Sequence, residues 1–552
     1  MIVEVTTEAE LIAARNNASC TEIRVTAPIT LTAAWDAYVT LGKALYIQKG
    51  CPITTGDHIF QENGPHLSLG LYPQYVAASG KVLYGSGATD HVCPEWWDGI
   101  DVHAAAESLK LAATGGGVVR LTARIYTVSN HMFIYAGFVS TAGIHLWPGV
   151  VLEGNSTTGS RISLANGQNC DVVRSWNFAG MTGANKWYTN SGSWDEMPTA
   201  FGLRNASVDG NKQNNTSGRG IAFCGKSYIL SNVVVHDCAQ DGYYSEAGRY
   251  TGTWDPTGDT HSGSTDDDAN SGGDFGAWRA EIYGDVSIAS CYNGGNGVTF
   301  KGPHDFVIER ISSHHNNGFG LYTDRKADAA TGYAGKVIIG SIHTWGNGNG
   351  VQASLSSGNH IGTHFTCESA IFEDALEITP QADDASGATV NYVQIANLTV
   401  NVPGGTAFSG GKGLNISTKY VQIGNLTIKA RDNHTFPTLA YIAGEGCQIG
   451  NLLILGTETT AYGTAGLWVN ADYVTIAGGM IRDVKNTPTA TGKGLRLANR
   501  KGCDINVDLV NCNTGFYYPT AGSGNRIRSW IEACDTPKNG TAGTTDVFEI
   551  RP

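Results

Sequence analysis

The second half of the chain repeats one short phrase, in which a glycine precedes residues that alternate between apolar and variable. Intervals between phrases such as GYYSE, GVTFK and GLYTD are mostly about 21 to 30 residues. A period of two predicts a strand, and repetition at this interval predicts a solenoid whose units pack only against their neighbours. The phrases start at Gly220, Gly242, Gly297, Gly320, Gly350, Ala375, Gly413, Gly466, Gly494 and Gly515.

A second set of apolar strands lies between these phrases. Two or three strands per turn, with Gly and Asn supplying positive φ at the corners, predict an all-β parallel β-helix. The second set comprises NVVVHDC (232–238), DVSIASC (285–291), DFVIERIS (305–312), KVIIGSI (336–342), YVQIANLTV (392–400), YVQIGNLTI (420–428) and YVTIAGGMI (473–481).

Composition supports this fold class and excludes several partners. The chain has 72 glycines among 552 residues, and charged residues make up only 15%, which is typical of a turn-dense β protein. The net charge of −13 without a basic stripe argues against nucleic acid. Because no apolar run reaches the length of a membrane span and Met1 leads directly into a strand-like segment, we expect neither membrane insertion nor a signal peptide.

Twelve cysteines are scattered without a CxxC pair or zinc-ligand spacing. We therefore expect buried free thiols, synthesis in a reducing cytosol, no metal and no cofactor.

Two short helices are predicted near the start of the chain. Residues 6–17 contain a capping box from Thr7 to Glu10, and a second helix runs from Asp101 to about residue 113. The predicted domains are an N-terminal cap with the first turns (1–95), the β-helix (96–530) and a closing segment (531–552).

The region after residue 92 resembles the pectate-lyase-like superfamily of right-handed parallel β-helices. The resemblance rests on the aspartate-opened helix after WDGID (97–101), the GGG at 115–117, the ARIY turn (123–126) and HLWPGVVLEGN (145–155). The family's usual longer aspartate segment and its Pro-Ala-Gly-Thr-Tyr turn are both altered. The superfamily includes lyases, hydrolases, epimerases and phage tailspike depolymerases. The missing secretion signal favours a tailspike, which implies a homotrimer attached to a phage tail or baseplate.

Stacking the phrases in register creates two outward columns. At the fourth position after the glycine, Glu246, Lys301 and Asp324 fall on three consecutive strands. Two strand spacings separate the carboxylates by about 9–10 Å at the backbone. This approaches the separation of about 6.5–9.5 Å found in inverting glycoside hydrolases. The alternative is a solvated ladder of opposite charges, which adds only modest stability.

The second position after the glycine supplies Tyr244, Tyr322, Gln352 and Glu377 beside that column, with Thr299 between the tyrosines. Exposed tyrosines on a rigid sheet are stacking platforms for sugar rings, although contacts between subunits select aromatic residues equally. The predicted substrate contacts also include Arg325 and His315, although a histidine at a corner is more often structural.

A 55-residue interval between Gly242 and Gly297 predicts a lateral loop over about 247–276, which would overhang the columns and carry Trp254. Asp266, Asp268 and Asn270 have the first spacings of a calcium loop, but the required glycine and glutamate are missing, so no calcium site is predicted. Glu368, Glu373 and Asp374 form an acidic cluster one turn further on, which we expect to be a solvated face.

These residues favour a phage tailspike enzyme that binds and endo-hydrolyses a bacterial surface polysaccharide. Glu246 and Asp324 would act as general acid and base, and Lys301 would bind an anionic or polar substituent. The alternatives are a lyase acting on a uronic-acid polymer, with Lys301, Tyr322 and Arg325 in the reaction, and a spike that only binds glycan. A bacterial enzyme unrelated to phage also fits. The expected location is the virion tail.

Overall fold

A computed structural model gives the architecture of this chain. Its described residues are 1–32, 43–77, 80–110, 117–135, 138–176, 178, 200–225, 228–246, 253–255, 260–262, 281–282, 286–301, 305–324, 337–348, 359–361, 365–378, 393–402, 412–431, 437–459, 465–486, 491–540 and 546–551.

Two short α-helices occur near the start of the chain. Helix α1 (Glu8–Asn16) begins at the predicted capping box, where Thr7 accepts a hydrogen bond from Glu10 N at 3.2 Å. Helix α2 (Val102–Ser108) is capped by Asp101 as expected, but it ends about five residues earlier than the sequence predicted. A single 3-10 turn covers Pro94–Trp96. Among the described residues, no helix has the length and hydropathy of a membrane span.

The other elements that the structure describes with defined bounds are β-strands. Up to residue 291 the strands are β1 (Ile2–Val5), β2 (Glu22–Val25), β3 (Ile29–Thr30), β4 (Ala44–Ile47), β5 (Ile53–Thr54), β6 (Ile59–Glu62), β7 (Tyr75–Val76), β8 (Lys81–Tyr84), β9 (His91–Val92), β10 (Gly117–Arg120), β11 (Ile125–Val128), β12 (His131–Tyr135), β13 (Phe138–Leu146), β14 (Val150–Glu153), β15 (Arg161–Leu164), β16 (Asp171–Ser175), β17 (Gly202–Asp209), β18 (Ile221–Phe223), β19 (Ile229–His236), β20 (Tyr243–Glu246), β21 (Thr253–Asp255), β22 (Thr260–Ser262), β23 (Glu281–Ile282) and β24 (Val286–Cys291).

The later strands are β25 (Val298–Lys301), β26 (Asp305–His314), β27 (Leu321–Asp324), β28 (Val337–Trp345), β29 (Asn359–Ile361), β30 (Phe365–Phe372), β31 (Leu376–Ile378), β32 (Val393–Val402), β33 (Lys412–Ile416), β34 (Gln422–Ala430), β35 (Thr438–Ile442), β36 (Gln448–Leu455), β37 (Glu458–Thr459), β38 (Ala465–Val469), β39 (Thr475–Arg482), β40 (Lys485–Asn486), β41 (Lys493–Leu497), β42 (Asp504–Asn506), β43 (Asp508–Val510), β44 (Thr514–Tyr518), β45 (Arg526–Glu532), β46 (Thr536–Gly540) and β47 (Val547–Arg551).

The chain divides into two compact units. The first comprises Met1–Ala239, Gly248–Gly276 and Ala280–Ile288, and the second Gln240–Ala247, Ala277–Arg279 and Ala289–Pro552. In the first, β10 pairs with β14, and β14, β15 and β19 pair with β17, all in parallel. The first unit thus already contains the parallel ladder expected for a β-helix.

The second unit contains two long parallel sheets to which each turn contributes one strand. The short-strand sheet runs β20-β25-β27-β29-β31-β33-β35-β38-β41-β44-β46, and the long-strand sheet contains β26-β28-β30-β32-β34-β36-β39. Strand β39 pairs with both β42 and β43, so a long strand is two short ones joined through a bend. This is the predicted parallel β-helix with two or three strands per turn.

Identical positions on successive turns form buried columns. One aliphatic column of the long-strand sheet repeats at a single register position, and full burial of one such side chain contributes about 1.5–3 kcal/mol. Its members are Ile339, Cys367, Ile395, Ile423, Ile449 and Ile476. All twelve cysteines are free, as predicted, and ten of them are buried.

Buried asparagines hold the corners that lead into the short-strand sheet. The Nδ2 atom of Asn293 donates to Asn316 Oδ1 at 2.8 Å, and Asn316 Nδ2 donates to Asn347 Oδ1 at 2.8 Å. Asn347 Nδ2 continues the ladder to Asp374 Oδ2 at 3.2 Å. Because each amide bonds the turn above and below, the ladder fixes where each following strand begins.

Positive φ occurs at Gly346 and Asn511, which follow β28 and β43, as predicted for Gly and Asn at corners. Gly297, which opens a repeated phrase, has an ordinary φ and is needed for another reason. A Cβ atom on Gly297 would overlap the Ser313 hydroxyl and lie 2.5 Å from Asn316 Nδ2. The asparagine corner therefore leaves no space for a side chain at this position.

We predict that Gly297→Ala lowers the free energy of unfolding by about 1–3 kcal/mol, because overpacking forces the corner apart. Thermal unfolding measures this loss. Gly478→Ala is the control, since Gly478 lies on β39, where a Cβ meets nothing within 4 Å. Equal stability of the two variants would show that the corner has room for a methyl group.

Candidate functional site

The structure aligns the three charged residues of the predicted column. In parallel pairing, Glu246 on β20 is the register partner of Lys301 on β25, and Lys301 is the partner of Asp324 on β27. Neighbouring residues Ser245 and Phe300 are buried, while the side chains of Glu246 and Lys301 are partly exposed. The predicted stacking order is therefore confirmed, while the catalytic roles stay predictions.

Two tyrosines flank this column on the same strands. Tyr244 donates its hydroxyl hydrogen to Glu246 Oε2 at 2.8 Å, which orients the carboxylate. The ring of Tyr322 stacks on Phe319 with 5.2 Å between centroids. Both tyrosines are half-buried, so the strand face presents aromatic and charged groups side by side.

Thr299 lies between these tyrosines in the register, but it is not exposed as the alternation predicted. Its side chain is only 2% exposed, because its Oγ1 donates to Asp241 Oδ2 at 2.8 Å and accepts from Asn296 Nδ2 at 3.0 Å. Asp241 also accepts from Asn296 N at 2.7 Å. Asp241 therefore fixes the start of β25 through these two hydrogen bonds. The same alternation, counted from Gly220, predicts that Ala222 and Cys224 point outward, but both are buried within the first unit.

The predicted column is wrong at its next position. His360 on β29, and not Gln352, is the register partner of both Tyr322 and Glu377. Gln352 lies outside the described residues. The strand that pairs with β27 and β31 therefore follows the GVQAS phrase (350–354) in the chain and does not coincide with it.

Two further candidates lie elsewhere or have no description. His315 lies at the corner after β26, where its ring stacks on Tyr292 at 5.1 Å and its Nδ1 is 2.9 Å from His314 Nδ1. It is therefore not in the columns of Tyr322 and Asp324. Arg325 lies outside the described residues.

The lateral loop contains a small antiparallel hairpin of β21 and β22, in which Trp254 is the register partner of His261. Most of 247–276, including the calcium-like Asp266, Asp268 and Asn270, lies outside the described residues. Overhang of the loop above the face stays a prediction.

The acidic cluster is not a solvated face throughout. Glu368 is exposed and Glu373 forms an ion pair with Arg431 at 2.8 Å, but Asp374 is only 6% exposed. Its Oδ2 accepts hydrogen bonds from Asn347 N and Nδ2 at 3.1 and 3.2 Å. Burial raises the pKa of Asp374 despite these hydrogen bonds, since the ionised form loses hydration. Asp374 is thus part of the asparagine ladder.

One group among the residues that the structure describes could hold a metal ion. Asp209, His236 and Asp237 of the first unit offer ligand atoms within 4.8 Å of one another. Arg161 lies 3.8 Å from Asp209, and Lys212 lies 3.6 Å from Asp237. These cations balance the two carboxylates and would compete with a metal, so the cluster fits a corner of ion pairs.

No protein-family model matches the chain, and no curated protein is significantly similar to it. Among solved structures, it is similar to the A-module of mannuronan C-5 epimerase AlgE6 from Azotobacter vinelandii. That likeness has 13% identity and a TM-score of 0.32, and covers 82% of this chain and 93% of that one. The AlgE4 A-module of the same organism has 14% identity and a TM-score of 0.28, with 81% and 93% covered. Strand pairing within the chain itself defines the parallel β-helix.

We predict that Asp374→Asn stabilises the protein more at pH 7 than at pH 4. The folded pKa of Asp374 is raised, so the folded state binds its proton more tightly than the unfolded state does. The wild type therefore loses stability as pH rises from the ordinary carboxyl range through that raised pKa, and asparagine has no such loss. Thermal unfolding from pH 3.5 to 7 measures the difference.

Glu368→Gln is the control, because it removes an exposed carboxylate from β30 without touching the ladder. As pH rises, the stability of Asp374→Asn relative to wild type should increase more than the stability of Glu368→Gln relative to wild type. A difference for Asp374→Asn that shrinks toward neutral pH would contradict the assignment.

Proposed function

We propose that this protein is a polysaccharide depolymerase that hydrolyses its substrate on the face of β20, β25 and β27. The observation that carries this proposal is the register of Glu246, Lys301 and Asp324 on three adjacent strands. Two strand spacings place the carboxylate-bearing backbones about 9–10 Å apart. That separation suits the inverting mechanism, in which a water molecule lies between acid and base.

Each charged residue has a definable role in that reaction. One carboxyl group protonates the leaving oxygen, and the other activates the attacking water. Tyr244 holds the Glu246 carboxylate through its hydroxyl group, so Tyr244 is a positioning residue. Lys301, between the two acids, binds an anionic or polar substituent of the sugar.

The neighbouring aromatic rings would hold the sugar chain. Tyr322, extended by Phe319, offers an apolar surface with a polar edge, which matches a pyranose ring. Glu377 on β31, two strands further along the same sheet, would bond sugar hydroxyls. Contacts from Trp254, Gln352, Arg325 and His315 remain predictions.

We further propose a bacterial surface polysaccharide as substrate and a phage tail as the setting, with three copies of the chain assembled together. These proposals derive from the family resemblance. A polymer substrate is consistent with outward columns that continue over many turns, because such columns meet a chain running across the strands.

We predict that Glu246→Gln and Asp324→Asn each lower the hydrolysis rate at least about a hundredfold, the usual contribution of a general acid or base. The release of reducing ends from a panel of capsules, exopolysaccharides and O-antigens measures the rate. Glu368→Gln, an exposed carboxylate on the long-strand sheet, should leave the rate unchanged.

Wild-type rates in both variants would refute these catalytic roles. Ultraviolet absorbance of an unsaturated product would instead identify a lyase, with Lys301 neutralising a uronate. Binding without any release of reducing ends would identify a glycan-binding spike.

A further inference from the structure

Farther along the short-strand sheet, the outward column that contains Tyr322 and Glu377 becomes aromatic and cationic. From β33 to β44 its members occupy successive register positions: Asn415, Tyr441, Trp468, Arg496 and Tyr517. Sequence analysis missed Tyr441, because β35 does not begin with the repeated glycine phrase. We call this column, together with Lys412 and Lys493 beside it, the cationic–aromatic face.

Each cation on this face lies against an aromatic ring. Lys412 Nζ lies 3.7 Å from the centre of the Tyr441 ring, which meets Trp468 edge-on at 5.0 Å. The guanidinium carbon of Arg496 lies 3.8 Å from the centre of the Trp468 ring. These cation–π contacts hold the cations in fixed positions without neutralising them.

Two of the cations act on the same ring. Lys493 Nζ lies 4.9 Å and the Arg496 guanidinium 5.9 Å from the centre of Tyr517. Partial burial lowers the pKa of Lys493, and the charge of Arg496 lowers it further. Within the described part of the chain, neither forms an ion pair with an acid. Two cations held close together without an acidic partner favour the binding of an anion from outside the protein.

Polar atoms on the face also have no protein partner. Asn415 Oδ1, Trp468 Nε1 and Arg496 Nε are buried without a hydrogen bond in the described chain. An unsatisfied buried polar group costs about 1–3 kcal/mol, so internal hydrogen bonding in the described chain does not account for this set of side chains.

Hydrogen bonds fix the Tyr441 side chain at one edge of the face. Asn470 Nδ2 donates to the Tyr441 hydroxyl at 2.6 Å, and Arg500 Nη2 donates to Asn470 Oδ1 at 2.7 Å. The Tyr441 ring is therefore fixed from two sides, by Asn470 and by Lys412. Fixed rings and cations lose little conformational entropy when a ligand binds.

We propose that the cationic–aromatic face is a binding site for acidic sugar residues of a polysaccharide, whose carboxylate lies between Lys493 and Arg496. Neutral sugars fit less well, because cations rather than open ring faces dominate the surface. The site requires binding only and does not depend on cleavage at Glu246.

The test measures retention of the full-length protein on immobilised alginate, polygalacturonate and hyaluronate, with dextran as the neutral polymer. We expect retention on at least one acidic polymer and none on dextran, with retention weakening as salt screens the charges. The double variant Lys493→Gln/Arg496→Gln should weaken binding about ten- to a hundredfold. Trp468→Phe, which keeps a six-membered aromatic ring but removes the pyrrole ring with its Nε1, should weaken it less.

Lys429→Gln is the matched control, because it removes an exposed cation from β34 in the long-strand sheet and should bind like wild type. Binding is measured in a Glu246→Gln background, so that cleavage cannot alter the result. Failure of the proposed binding site can then be distinguished from failure of the proposed hydrolysis. No retention on any acidic polymer, or equal retention by the double variant, overturns the proposal. A change of oligomeric state in the double variant overturns it in favour of a contact between copies of the chain.

Discussion

Parallel pairing of successive turns in a fixed register is the constraint on which the molecule depends. Because side chains alternate between the two sides of a strand, a slip of one residue would bury Glu246 and Lys301 and expose Ser245 and Phe300. The buried Asn293-Asn316-Asn347 ladder opposes that slip, since each amide needs its partner one turn away. Register thus converts a repeated phrase into columns of aligned side chains.

Much of this could be predicted from the residues, because the constraints are local. A glycine beside an apolar alternation marks where each strand starts. Counting from that glycine in three successive phrases correctly predicted that Glu246, Lys301 and Asp324 are register partners. The reason for the glycine could not be predicted. It depends on the space that Ser313 and Asn316 occupy one turn away.

One error arises from the variable length of the connections between strands, and the other two from turns that depart from the repeated pattern. Extra chain before β29 placed His360 where Gln352 was expected, because a solenoid turn fixes the strand but not the length of its connections. Tyr441 was missed because β35 starts with threonine, and Asp374 was misjudged because an acidic residue can end a buried amide ladder. Each error concerns which residue of a neighbouring turn lies beside a given position. A single sequence indicates that pairing only where the turns repeat the same pattern.

Charges on the short-strand sheet of the second unit change in pattern along the direction of stacking. Glu246, Lys301 and Asp324 alternate in sign on β20, β25 and β27. Beyond Glu377 on β31 the described strands carry cations only, with Lys412 on β33, Lys493 and Arg496 on β41, and Lys538 on β46. Stability alone would favour alternating the signs between adjacent strands, because opposite charges directly across a pair attract. The cations instead rest against aromatic rings, which hold a charge in place while leaving it available to an anion. Such an arrangement suits a long ligand whose separate residues meet different chemistry on one rigid surface.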